Sequence, residues 1–209
     1  MHALLFANGE VSEREIRFLS KQTFDLIIAA DGGARHALKW QLRPHYVVGD
    51  LDSITDELRE QLQGTQFIHR PSQDLNDLEK TLLFCQEKGV NRLTLLGITG
   101  KRLDHTLTNL SVLSRFDTVF DLTLLDPDGE IFFVRNTFYY QGRIGQLISL
   151  VPLFSAEGIT TQGLAYPLND ESLTWGVREG LSNVIVQNPV RISLKKGLLM
   201  VIAIYPEHL

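Results

Sequence analysis

For about the first 120 residues, short apolar runs alternate with helix-like stretches, and nearly every apolar run stops at a turn carrying carboxylates. The runs cover residues 24–30, 46–48, 65–70 and 92–97, and the helical stretches cover 34–40, 56–63, 77–87 and 103–116. Strands alternating with helices predict a parallel sheet built from βαβ units. In such sheets ligands bind outside the carboxyl ends of the strands. Asp31, Asp50, Asp52, Asp74, Asp77 and Asp104 all fall at or just past that edge. One acidic turn is unremarkable, but four strand ends that feed one edge with carboxylates predict a site.

The segment His45-Tyr-Val-Val-Gly-Asp-Leu-Asp-Ser53 is the sharpest case, a buried strand ending in a glycine turn with two acids. Hard cations such as Mg²⁺ take carboxylates together with substrate phosphates, so the turn suggests a metal-dependent site for a phosphorylated substrate. The alternative is a loop leading into a helix cap, since Ser and Asp both start helices. For Asp74 and Asp77 the same alternative makes Asp74 the N-cap and places Asp77 in the first turn. Lys80, one turn on, either sits near a phosphate or pairs with Asp77.

Gly97-Ile-Thr-Gly100, followed by Lys101-Arg-Leu-Asp-His105, is a glycine turn entering a helix. Its amides suit phosphate, Thr99 lies within it, and Arg102 offers a bidentate fork. It lacks the spacing of a nucleotide P-loop, and Asp31-Gly-Gly33 lacks that of a dinucleotide fingerprint. His105 reads as a helix-face histidine more readily than as a general base. Cys85, the single cysteine, shares helical spacing with Leu78 and Leu82 and reads as buried.

Near residue 120 the helical period fades. Short β-branched and aromatic segments follow at 122–125, 131–134, 137–141, 146–151, 158–161, 183–186, 190–194 and 198–205. Spacing of this kind predicts a sandwich or barrel. The expected organisation is therefore an α/β domain over 1–120, a parallel sheet flanked by helices, followed by an all-β sandwich-like domain over 121–209. Within the latter, Trp175 sits in a polar, glycine-punctuated loop, either as a platform for a flat cationic ring or as a plug at the end of the sandwich.

The net charge of −5 and the absence of a basic stripe argue against nucleic acid or an anionic membrane as partner. No apolar run approaches the roughly 20 residues of a membrane helix. The N-terminal segment turns polar quickly and reads as a first strand rather than a signal peptide. The expectation is a soluble, cytoplasmic protein.

The motifs at 30–34, 49–53, 73–80, 97–105 and 180–183, taken in order, resemble those of thiamine pyrophosphokinases. The resemblance implies transfer of a diphosphoryl group from ATP to thiamine, giving thiamine diphosphate and AMP. It also implies Mg²⁺ and a homodimer with shared active sites, the all-β domain serving thiamine binding and dimerisation. Carried across, Asp50, Asp52 and Asp77 hold the metal, with Arg102 beside them in the catalytic set. Asp31, Gln73, Thr99, Arg102 and Asp104 face the nucleotide and its phosphates, and Trp175, Ser182 and Asn183 face thiamine. The competing readings are a phosphatase with Asp50 as nucleophile, for which no second acidic motif follows, and an inactive thiamine- or nucleotide-sensing module.

Overall fold

Six parallel strands form the first half of the chain: β1 (His2–Phe6), β2 (Leu26–Ala30), β3 (Tyr46–Gly49), β4 (Gln66–His69), β5 (Arg92–Leu96) and β6 (Asp121–Asp126). Their order is β4-β3-β2-β1-β5-β6, every pair in parallel register. In this computed structural model, which describes residues 1–20 and 22–206, the chain divides into two compact units, Met1–Pro127 and Asp128–Leu209. The boundary falls after residue 127 rather than 120. Segment 122–125, expected in the β domain, pairs instead with β5 as the sixth parallel strand, and Leu125 joins the first unit's core.

The central strands read as unbroken apolar runs because both of their faces are covered. All of β1 past His2 and all of β5 past Arg92 is buried. On one side the core gathers Leu4, Phe6, Ala29, Val47 and Leu96 with Ala34, Ala37, Leu58 and Leu62 from the helices. The helices are α1 (Glu13–Leu19), α2 (Ala34–Lys39), α3 (Asp56–Gln61), α4 (Asp77–Glu87) and α5 (Leu103–Phe116). Thr55 caps α3 and Asn76 caps α4, each accepting the amide three residues on. The α4 cap is thus Asn76, not Asp74, which leaves Asp77 as the first helical residue.

The chain runs outward from β1 through β2 and β3 to β4, then returns to β5 on the other side of β1. That reversal opens a crevice between the ends of β1 and β5, the place where such sheets bind ligands.

The second unit is antiparallel: β7 (Gly129–Val134), β8 (Thr137–Tyr140), β9 (Leu147–Gln162), β10 (Glu171–Thr174), β11 (Gly180–Val184), β12 (Val190–Ser193) and β13 (Lys196–Ile204). The strand β9 organises it. Residues 147–159 pair with β13, β10 and β11, and 160–162 pair with β12, which in turn pairs with β8. The two segments expected at 146–151 and 158–161 are therefore one strand, carried through left-handed residues at Phe154 and Gly158 and register shifts against β10, β11 and β13. Irregularities of this kind let a strand bend and serve two sheets. Ile148, Leu150, Ile159, Leu173, Ile185, Ile192, Leu199 and Val201 fill the core.

Candidate active site

At the crevice the loops after β1 and β5 are zipped together by backbone bonds. The amides of Ala7, Gly9 and Glu10 donate to the carbonyls of Leu96, Gly97 and Thr99 at 2.8, 2.7 and 2.8 Å. This closeness demands glycine: a Cβ on Gly9 would lie 2.1 Å from the Thr99 carbonyl oxygen. Over the zipped loops lies a cavity of about 420 Å³, walled by the ends of β1, β2, β3 and β5 and by the entries to α4 and α5.

Asp31, Asp50 and Asp77 converge there, each offering one carboxylate oxygen within 4.8 Å of the others. Asp31 ends β2 in a left-handed conformation (φ 40°) that aims it over the sheet edge. Asp50 follows β3, and Asp77 opens α4. Gly49 makes the approach possible, since a Cβ there would meet the Asp31 Cβ at 2.9 Å and Asp77 Oδ1 at 3.1 Å.

Asp52, expected with Asp50 and Asp77 in the metal set, is not in this cluster; Asp31 is. The reason is local. Leu51 adopts φ 67°, which turns the Asp52 amide back onto Asp50 Oδ1 at 3.3 Å, while the Asp52 carboxylate accepts the Ser53 hydroxyl at 3.2 Å.

Burial dominates the electrostatics of Asp31. It pushes the carboxyl above its ordinary value, Ser53 pulls it back, and Asp77 and Asp52 push it up again. Asp31 Oδ1 is buried without a hydrogen-bond partner. Lys80 is buried beside the cluster, its Nζ 3.1 Å from Asp77 Oδ1 and 3.3 Å from Asp50 Oδ2. Burial alone raises the Asp50 carboxyl, but the Asp52 amide and the Lys80 ammonium outweigh it and leave the pKa lowered.

The α5 side is open. Arg102 and Asp104 are exposed and form a bidentate pair at 3.1 and 2.5 Å. Arg102, Gln73, Lys101 and His105 line the cavity. Thr99 donates its hydroxyl to Asp126 at the end of β6, so this expected nucleotide contact is already engaged. Sequence reasoning passed over Lys101, whose ammonium donates to the Asn8 carbonyl at 2.8 Å and ties the two loops together at the rim. The signal for it was present, a lysine between the glycine turn and Arg102.

In the second unit the three expected thiamine residues part company. Trp175 is 58 % exposed, in a loop anchored by its amide on the Phe154 carbonyl at 2.9 Å. It presents its ring rather than plugging the unit. Ser182 is exposed with a left-handed backbone (φ 55°). Asn183 is buried instead, and its carboxamide holds both backbone groups of Tyr166, at 3.0 and 2.7 Å. Its place on the inward face of β11 makes it a clamp for the 164–166 segment.

The architecture is that of an enzyme with an acid-lined cleft at the switch point of a parallel sheet, followed by an antiparallel β unit. Two family models match in that order: the thiamin pyrophosphokinase catalytic domain over residues 19–123 and the thiamin pyrophosphokinase vitamin B1 binding domain over residues 136–199. The chain belongs to the thiamin pyrophosphokinase family and is an enzyme of thiamine diphosphate formation. It is similar to thiamine pyrophosphokinase 1 of Oryza sativa subsp. japonica, 28 % identical over 209 residues that cover 86 % of this chain and 79 % of that one. It is similar also to thiamine pyrophosphokinase of Bacillus subtilis, 29 % identical over 185 residues covering 85 % and 86 %. The crystal structure of thiamine pyrophosphokinase from Bacillus subtilis superimposes with a TM-score of 0.85 at 26 % identity, covering 99 % of this chain and 100 % of that one. Yeast thiamin pyrophosphokinase shares the fold, with a TM-score of 0.82 at 19 % identity over 100 % and 87 % of the two chains.

Proposed function

We propose that the chain transfers the β,γ-diphosphoryl group of ATP to the hydroxyl of thiamine, with Mg²⁺, releasing AMP. The observation that carries this reading is the convergence of Asp31, Asp50 and Asp77 at the sheet edge in a member of this family. Three hard oxygen donors, one of them buried and unpartnered, fit a small divalent cation. Asp31, Asp50 and Asp77 would hold it. Bound there, the cation supplies charge neutralisation for the transferring phosphates.

The rest falls to the protein's own groups. The hydroxyl oxygen of thiamine bonds to the β-phosphorus, the bond from that phosphorus to the AMP oxygen breaks, and the hydroxyl proton is released. Positioning and charge stabilisation account for most of such a reaction. Arg102 turns its fork from Asp104 to phosphate oxygens, Gln73 and the amides of the 97–100 turn orient the nucleotide, and no covalent intermediate is needed. Asp50 makes a poor nucleophile, since its two oxygens already hold the Asp52 amide and the Lys80 ammonium. Trp175 and Ser182 supply the thiamine face, and a second copy of the chain brings them to the acids. Phe154, Trp175, Val177 and Leu181, all more than half exposed, supply apolar area for such a dimer.

Among the described residues no helix is long and apolar enough to cross a membrane. We place the activity in the cytoplasm, in keeping with a chain whose single cysteine allows no intrachain disulfide.

The test is AMP release from ATP, with and without thiamine, and with Mg²⁺ or a chelator. Release that requires both thiamine and the cation supports the reading. Release of inorganic phosphate without thiamine, or no turnover with both present, overturns it.

A further inference from the structure

Lys80 stands apart from the site chemistry described so far, because a buried ammonium is costly unless it is paired. It is 5 % exposed and reaches two of the three clustered acids, Asp77 at 3.1 Å and Asp50 at 3.3 Å. One helix delivers both the ligand and the ammonium, since Lys80 follows Asp77 by three residues on α4. Both acids lie within ion-pair distance of its Nζ, so the buried ammonium is compensated from two sides. The third acid, Asp31, keeps a buried oxygen without a donor. Three carboxylates and one ammonium therefore leave two formal negative charges, the complement of one divalent cation.

We propose that Lys80 is a resident counter-ion, a positioning residue that holds the oxygens of Asp50 and Asp77 until a cation arrives and sets the charge the site presents to it. This rests on the metal-site reading above. On this account the lysine restrains cation binding and matches the site to divalent ions. A lysine that merely packs the core would not govern cation affinity in the absence of nucleotide.

The experiment titrates the full-length protein with Mn²⁺ alone, following free Mn²⁺ by electron paramagnetic resonance, and with Tb³⁺ by sensitised luminescence. Lys80→Met removes a positive charge a few ångströms from the cation, so Mn²⁺ should bind at least about tenfold tighter than to the wild type. The gain for Tb³⁺ should exceed the gain for Mn²⁺, because a charge effect scales with the cation's charge. Equal gains would mean steric unblocking, and equal or weaker Mn²⁺ binding would mean a structural lysine; either result overturns the proposal. If Lys80→Met does not fold, the comparison moves to Asp77→Asn against Asp77→Asn/Lys80→Met. The double variant should bind Mn²⁺ tighter than the single one, and equal binding overturns the proposal. A wild type whose Mn²⁺ binding is untouched by Asp50→Asn would instead sink the metal-site reading itself.

Discussion

Glu15 should make the protein lose stability as the pH rises, by an amount that follows from its surroundings. Its side chain is fully buried at the first turn of α1, Oε2 accepts the Ser12 amide at 2.6 Å, and Oε1 has no partner. Burial is the main force that moves the carboxyl from 4.5 up to about 7, with Asp126 and Glu10 adding repulsion and the Ser12 amide opposing. Between those values the folded protein keeps a proton that the unfolded chain has released. Stability is therefore full below about 4.5 and is lost as the pH rises through about 7. At about 1.4 kcal/mol per pH unit, a window of that width is worth about 3 kcal/mol. Glu15→Gln keeps an oxygen for the Ser12 amide and cannot ionise. Urea unfolding of both proteins at pH values from about 4 to about 8, read at unchanged m-value, gives the comparison. The wild type should fall behind the variant by about 3 kcal/mol across the series, with most of the change between pH 5 and 7. Parallel stability curves would show that the carboxylate is ionised at no cost and that the reasoning from burial is wrong.

Gly49→Ala should destabilise the first unit by about 1–3 kcal/mol and weaken Mn²⁺ binding, because its methyl presses on Asp31 and Asp77; a variant with normal stability and affinity would show that the acids need no such closeness. Arg102→Lys should cut turnover while leaving stability essentially unchanged, since the pair with Asp104 is exposed. Unchanged kinetics would remove Arg102 from phosphate binding. Trp175→Ala should raise the thiamine requirement through loss of a stacking contact worth about 2 kcal/mol or more, with ATP binding intact. In verified mixed dimers of Asp77→Asn and Trp175→Ala chains, activity should partly return, and persistent inactivity would confine each site to one chain.

The sheet and its acidic edge were legible because a strand covered on both faces leaves an unbroken apolar run, and the acid after it marks the strand's end. What stayed hidden depends on three-dimensional company. Asp31 joins Asp50 and Asp77 because β2 and β3 are neighbours and because Leu51 turns Asp52 aside, and neither fact has a sequence period. Asn76 displaced Asp74 as cap of α4 by a shift of two positions, within which both side chains suit the role. The resemblance of the 180–183 motif assigns Asn183 to thiamine, and no pattern in the sequence announces its bonds to the backbone of Tyr166, two segments away. Segment 122–125 has the same composition whether it pairs with β5 or begins a meander, and only its parallel register with β5 decides.

The position of β13 has a consequence for how the protein is made. This last of the described strands lies between β7 and β9 and pairs with both, with Leu199, Val201 and Ala203 fully buried. A nascent chain halted before residue 196 would present two long, unsatisfied strand edges to its neighbours on the polysome. The parallel unit, whose strands are joined through intervening helices, can condense while synthesis continues, whereas the β unit is sealed only when its late strand slides into the gap. The interval between those two events is when the chain is most exposed to aggregation.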